Sequence, residues 1–297
     1  MFETRPLHPL FVAEATGIDL SRPAGPDLTQ AIEQAMDRFG VLVVRGQTLS
    51  QAEQIRFAEA FGPLDLGLRK LPSGPAATRH RLEHEALIDI SNVAPDGEVA
   101  ARESRKVLSN LANQLWHSDS SFQAPRARYS MLYAVVLPSK GGETEFADLR
   151  AAYDALPADM KRDIAGLETE HFALHSRFGL GDTEYTPAQI AAIPPVRWPL
   201  VQRHPGSGRD LLFVGVHARA ILGMSLPEGR LLLSDLLEHA TQREFVYRHQ
   251  WRVGDLVMWD NRATVHRGRR FDLSERRELR RSTTEDLPAP VAAAVRS

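Results

Sequence analysis

Residues 253–268, Val253-Gly-Asp-Leu-Val-Met-Trp-Asp-Asn-Arg-Ala-Thr-Val-His-Arg-Gly268, run from an apolar stretch of β formers through a polar turn, Asp260-Asn261-Arg262, and straight back to a histidine. A polar turn that follows a buried strand and closes on a histidine is how a barrel could aim a side chain into its mouth. Outward from this patch the second half keeps the same character. Leu211 to Gly215, Glu244 to Arg248 and Asp255 to Trp259 are short and rich in β formers, while Leu226 to Ala240 is the strongest late helix. Tyr129 to Leu137 reads as a buried strand stopped by Pro138, and Gly141-Gly142 as a turn into a strand reaching Phe146. Leu149 to Leu156 and Ala158 to Leu167 read as helices. The expected class is mainly β with helical insertions around a double-stranded β-helix (jelly-roll) core. A doubly wound sheet does not fit, because strand-helix alternation is absent in the second half and no glycine-rich phosphate loop follows a strand.

The first third is more helical. Phe11 to Leu20 reads as a short strand and turn, Asp27 to Phe39 as a helix capped by Asp27 and stopped by Gly40, and Val41 to Arg45 as a buried strand. The next helix starts near Ser50, with Glu53 completing a capping box, and ends before Phe61-Gly62-Pro63. Residues 66–112 have weak periodicity and carry turn signals at Pro72-Ser73-Gly74-Pro75 and Pro95-Asp96-Gly97, which predicts an irregular lid or binding loop that governs substrate selectivity. The expectation is one domain over residues 1–287, with a short Ala/Pro/Val tail at 288–297.

Composition narrows the function classes. With 43% hydrophobic and 25% charged residues, the 297-residue chain can bury a sizeable core. A net charge of -2 supplies no broad basic field, so nucleic acid is not an expected partner. No run approaches the roughly 20 apolar residues that span a bilayer, and Met1 to Leu10 lacks the organisation of a signal peptide. The chain therefore reads as cytoplasmic, without a membrane partner. It has no cysteine, so disulfides and thiolate metal sites are excluded and any metal must be held by nitrogen and oxygen.

His117 and Asp119 are such donors. On an extended strand, positions i and i+2 point to the same side, so both can reach one ion while Ser118 faces away. An H-x-D pair alone is weak, since surface residues produce it freely, and His266 alone could be a structural histidine in a hairpin. If the three meet, they form a two-histidine, one-carboxylate face with open positions, suited to non-haem Fe(II). Arg276, Arg277, Arg280 and Arg281 follow in a strand-like run. Alternation puts Arg277 with Arg281 and Arg276 with Arg280, so one pair can be an anion clamp, although a solvated basic edge strand has the same composition.

In order along the chain, four motifs stand together: Trp116-His117-Ser118-Asp119, Gly141-Gly142-Glu143-Thr144, Trp259-Asp260-Asn261-Arg262 with His266, and Arg277 with Arg281. They resemble the Fe(II)/2-oxoglutarate-dependent dioxygenases of the taurine dioxygenase family. Asn113 to Phe122, Ala240 to His249 and Arg276 to Thr284 are similar, more narrowly, to its 2,4-dichlorophenoxyacetate (2,4-D) dioxygenase branch. The resemblance implies that His117, Asp119 and His266 ligate Fe(II), and that Thr144 and Arg277 hold the distal carboxylate of the cosubstrate 2-oxoglutarate. It implies that Arg281 meets a substrate anion, with Asn113 on the substrate side, Lys70 assisting from the irregular loop, and Trp259 as a pocket wall. Glu98 departs from the branch, standing where a relative carries a lysine.

The implied reaction uses O2 to hydroxylate an aryloxyalkanoate next to its ether oxygen, releasing a phenol and glyoxylate with succinate and CO2. A dioxygenase for another small anion (an alkyl sulfonate or a natural aromatic acid), a hydrolytic zinc enzyme and a non-catalytic jelly-roll binding module are the alternatives. Zinc hydrolysis would leave Thr144 and Arg277 without a purpose. The resemblance also leans to a homo-oligomer.

Overall fold

The computed structural model describes residues 2–67 and 81–287. In chain order the first elements are β1 (Glu3–His8), β2 (Val12–Thr16), α1 (Pro26–Phe39), β3 (Val41–Val44), α2 (Gln51–Glu59), β4 (Ile88–Ser91) and α3 (Arg105–Asn110). A 3-10 turn, Leu111–Gln114, then leads toward β5 (Ala127–Val136) and β6 (Thr144–Asp148). Next come α4 (Leu149–Asp154), α5 (Ala158–Ile164), β7 (Glu168–His171), α6 (His175–Gly179), α7 (Pro187–Ala191), β8 (Val196–Pro199), β9 (Val201–Arg203), β10 (Asp210–Leu212) and β11 (Ala218–Ile221). Helix α8 (Leu226–Ala240) precedes β12 (Val246–His249), β13 (Leu256–Asp260), β14 (Thr264–Gly268) and β15 (Glu278–Glu285).

A seven-stranded sheet, ordered β1-β2-β3-β13-β5-β15-β4, forms one wall, and a three-stranded sheet, β12-β6-β14, forms part of the other. All neighbours are antiparallel except β2 and β3. This is the jelly-roll core that the strand pattern predicts. Alternation along β13 explains how the wall divides two cores. Leu256 and Met258 face α1 and α2, joining Ile32, Met36, Phe57, Tyr129 and Met131. Val257 and Trp259 face inward, joining Val41, Val43, Leu132, Leu279 and, from the small sheet, Phe146. Each fully buried Val, Leu, Met or Phe here stabilises the fold by roughly 1.5–3 kcal/mol. A third core, with Leu200, Leu211, Phe213, Leu233 and Val265, joins the outer short strands and α8 to the back of the small sheet.

Local rules account for most helix boundaries. Helix α2 carries the Ser50/Glu53 capping box, and α1 ends at Gly40, whose φ of 84 closes the helix in the left-handed region. The N-cap of α1 is Gly25, not Asp27. Pro26 is the cause: it has no N–H to lose and its fixed φ suits the first helical position, so the cap lies two residues earlier than Asp27. Of the 66–112 stretch, residues 68–80, with the turn signal at 72–75, lie outside the described residues; the described part is less irregular than its sequence, because Ile88–Ser91 pairs with β15 as an edge strand and Arg105–Asn110 is helical. Among the described residues, no helix is long and apolar enough to cross a membrane. The 288–297 tail lies outside the described residues.

Candidate active site

His117 and His266 sit opposite each other in an isolated antiparallel bridge, with N–H···O distances of 3.0 and 2.8 Å in the two directions. Directly opposed residues put their side chains on one side, and the two ring centroids are 4.2 Å apart. The expected extended strand through Asp119 is not present. Only His117 pairs, and Asp119 already enters a turn in which Ser120 has a φ of 49. Ser118 does point away, donating to Thr264 O at 2.9 Å. Asp119 Oδ1 lies 3.8 Å from His117 Nε2 and Oδ2 lies 3.7 Å from His266 Nε2. One ligand atom from each of the three residues falls within 4.8 Å of the others, and all three residues are buried.

Partners fix these donors. His117 Nδ1 is 2.7 Å from Leu115 O, which can only accept, so Nδ1 carries the proton and Nε2 keeps its lone pair. Asn261 Oδ1 accepts from the Asp119 backbone N–H at 3.0 Å and from Trp259 Nε1–H at 2.9 Å. Asn261 Nδ2 donates to Ser130 Oγ at 2.9 Å, and Ser130 Oγ–H donates to Asp119 Oδ2 at 2.7 Å. Arg281 Nη1 donates to the other carboxylate oxygen. The turn carrying Asn261 is itself braced: Asp260, fully buried, accepts from Arg262 Nη2 at 2.6 Å and pairs with His204 Nε2 at 3.0 Å.

Electrostatics keep the face ready for a cation. Burial lowers the pKa of His117 and, with the His117 charge adding to it, drops that of His266 well below the ordinary range. Burial pushes Asp119 up, but Arg281, His266 and His117 outweigh it and bring the carboxyl to about 2. Near neutral pH the face therefore holds two neutral imidazoles and a carboxylate, the protonation states that metal binding requires.

Beside the face opens a cleft of about 800 Å³, the open solvent at its mouth included. Ile90, Val107, Leu132, Phe271 and Leu273 give it apolar walls, and Asn113, Thr144, Trp259, Arg277 and Arg281 give it polar or aromatic ones. Arg277 is 8% exposed, and burial lowers its pKa to about 10 against a weak opposing pull from Glu143. Its Nη2 donates to Gly142 O at 3.0 Å, its Nε has no partner, and among the described residues no carboxylate pairs with it. A buried cation set in a cleft wall, with no carboxylate partner among the described residues, suits a carboxylate ligand.

Two imidazoles and one carboxylate with room beside them suit an open-sided Fe(II) centre, and the buried guanidinium suits a chelating keto acid. The model of the "Taurine catabolism dioxygenase TauD, TfdA family" matches residues 3–283. The chain belongs to this family. It is 60% identical over 281 residues to an alpha-ketoglutarate-dependent 2,4-dichlorophenoxyacetate dioxygenase of Cupriavidus pinatubonensis, covering 95% of this chain and 96% of the relative. An (S)-phenoxypropionate/alpha-ketoglutarate-dioxygenase of Sphingobium herbicidovorans is 34% identical, with 97% and 96% covered. The solved structure of AAD-2 in complex with Mn(II) and N-oxalylglycine superposes with a TM-score of 0.89 at 44% identity, over 98% of this chain and 99% of that one. This member of the taurine dioxygenase family is thus an alpha-ketoglutarate-dependent dioxygenase, with the jelly-roll fold of its relatives.

Of the residues singled out in the dioxygenase's sequence, His117, His266, Thr144, Arg277, Arg281, Asn113 and Trp259 all line the one cleft. Asp119 is not part of the lining but is joined to Arg281, which is. Lys70 lies outside the described residues. Glu98 is exposed on a turn and does not line the cleft. Sequence reasoning missed Ser130, a hydroxyl in a mostly apolar strand, and it recognised Asn261 only as part of a polar turn.

Proposed function

We propose that His117, Asp119 and His266 ligate Fe(II), that Thr144 and Arg277 bind the distal carboxylate of 2-oxoglutarate, and that the substrate is an aryloxyalkanoate such as 2,4-dichlorophenoxyacetate. The observation that carries the reading is Arg277, buried, unpaired among the described residues, and in the same cleft as the three candidate ligands. The 60% identity to a 2,4-dichlorophenoxyacetate dioxygenase supports the substrate class. When bound, Fe(II) with 2-oxoglutarate and O2 supplies the hydroxylating oxidant and yields succinate and CO2.

The protein's part is to hold and orient. His117 presents a fixed tautomer, and Ser130 and Asn261 hold the Asp119 carboxylate in one rotamer. Arg277 and Thr144 anchor the cosubstrate from the far side of the cleft. Arg281 lines the cleft, so its guanidinium can meet a substrate carboxylate even while it pairs with Asp119. Asn113 stands on the same side, and Lys70 is assigned to the same anion. The apolar walls take the aryl ring and exclude water. Anchored in this way, the acid offers the carbon between carboxylate and ether oxygen, and position selects which C–H bond reacts. Hydroxylation there gives a hemiacetal that collapses to a phenol and glyoxylate.

The same reading takes residues 1–287 as one dioxygenase domain, working in the cytoplasm as a homo-oligomer. The test is phenol release from 2,4-dichlorophenoxyacetate, which should need Fe(II), 2-oxoglutarate and O2 together. Release undiminished in His117→Ala protein would sink the assignment. A panel of aryloxy acids, alkyl sulfonates and natural aromatic acids, scored by succinate, separates this substrate class from other small anions.

A further inference from the structure

Trp251 lies between β12 and β13, and its Nε1–H donates to Thr144 Oγ1 at 3.1 Å. An indole nitrogen can only donate, whereas a threonine hydroxyl has one proton and two acceptor lobes. Trp251 therefore occupies an acceptor side of Thr144. The hydroxyl proton must go elsewhere, and among the described residues Thr144 Oγ1 has no other hydrogen bond. Thr144 is 3% exposed and lines the cleft. The free direction for its proton is the cleft, where Arg277 also lacks an anion.

We infer that Trp251 is a positioning residue for the cosubstrate. It sets the polarity of the Thr144 hydroxyl, so that the group donates to the distal carboxylate of 2-oxoglutarate instead of presenting it a lone pair. The inference rests on the reading of Thr144 as a cosubstrate contact. A brace behind Trp251 makes its position firm. His249 meets it edge-on, with ring centroids 4.5 Å apart, and His249 Nε2 donates to the buried Asp255 at 3.1 Å. The same carboxylate accepts from the Arg252 backbone N–H at 2.9 Å and from Arg45 Nη1 at 2.7 Å. The loop is thus tied on both sides of the indole.

The test is calorimetric titration of Mn(II)-loaded protein with N-oxalylglycine, which keeps the two carboxylates and does not turn over. Trp251→Phe keeps the ring and removes the donor, so affinity should fall about three- to tenfold, the usual value of one hydrogen bond. Thr144→Val should weaken binding at least as much, and the double variant should be no weaker than Thr144→Val alone. Mn(II) affinity should be the same in all four proteins, which confirms folding. In turnover, Trp251→Phe should raise the KM for 2-oxoglutarate and leave kcat and the KM for the acid in place. If Thr144→Val binds poorly while Trp251→Phe binds like wild type, the role of Trp251 is overturned and Thr144 stands. If Trp251→Phe costs as much in the Thr144→Val background, the indole acts by packing and the inference also fails. A Thr144→Val protein that binds normally removes the cosubstrate contact beneath both.

Discussion

A β-carbon built on Gly142 would lie 2.9 Å from Nε of Arg277. Gly142 also has a φ of 73, and its carbonyl accepts from Arg277 Nη2 at 3.0 Å. Backbone conformation and space therefore both demand glycine where the chain turns under the guanidinium. Gly142→Ala should displace Arg277 and raise the KM for 2-oxoglutarate by about tenfold or more, one charge-assisted hydrogen bond being worth up to about 3 kcal/mol. Steady-state rates at varied 2-oxoglutarate and fixed acid check this, and an unchanged KM would separate Arg277 from the cosubstrate.

Ser130 gives its only proton to Asp119 Oδ2 because Asn261 already donates to its oxygen. Ser130→Ala should leave the fold intact and weaken metal binding by about 10- to 100-fold, the usual effect of losing a ligand's supporting hydrogen bond. Mn(II) titration reads the result directly.

Arg281 is the strongest of the charges that hold Asp119 down at about 2. In Arg281→Gln protein burial is less opposed, so the carboxyl pKa should rise. Protonation competes with metal, so the variant's Mn(II) affinity should fall more steeply than wild type between pH 7 and pH 5. The KM for the acid substrate should rise as well, since the candidate anion contact is gone. Equal pH profiles would show that Arg281 does not govern the carboxylate.

How much of this was legible beforehand depended on distance along the chain. Ser50 with Glu53, and Gly40 after α1, act within a single turn, so the local pattern is enough. Arg277 and Arg281 could be paired because alternation holds between them. The candidate metal face was suggested by donor types, but its geometry rests on a bridge between residues far apart in sequence. Nothing near Ser130 announces that it serves Asp119, and nothing near His204 announces Asp260, 56 residues away. β4 is a strand because β15 offers it an edge, a tertiary cause that its own four residues do not carry. Trp251 is a similar case, since its meaning is set by Thr144, 107 residues earlier.

Asp260 is fully buried and its pKa is held well below 3.8: burial raises it, but Arg262 and His204 more than compensate. A depressed carboxyl contributes stability that is present above its unfolded value of about 4 and is lost as pH falls toward the folded value. Asp260→Asn leaves the buried Arg262 without its main partner and should cost about 3–5 kcal/mol at pH 7. The gap to wild type should narrow as pH drops below about 4. Urea melts at pH 7 and pH 3 check both the size and the direction.

The bridge between His117 and His266 has a consequence for how the protein is made. His266 follows His117 by 149 residues, so at roughly 5–20 residues per second a ribosome needs about 7–30 s to travel from one to the other. During that interval the nascent chain carries only two of the three candidate ligands, His117 and Asp119. The candidate metal face is thus complete only late in synthesis, after β5 and β13, neighbours in the large sheet, have been made. On the proposed ligand set, a half-built chain has no complete face on which to hold a redox-active ion.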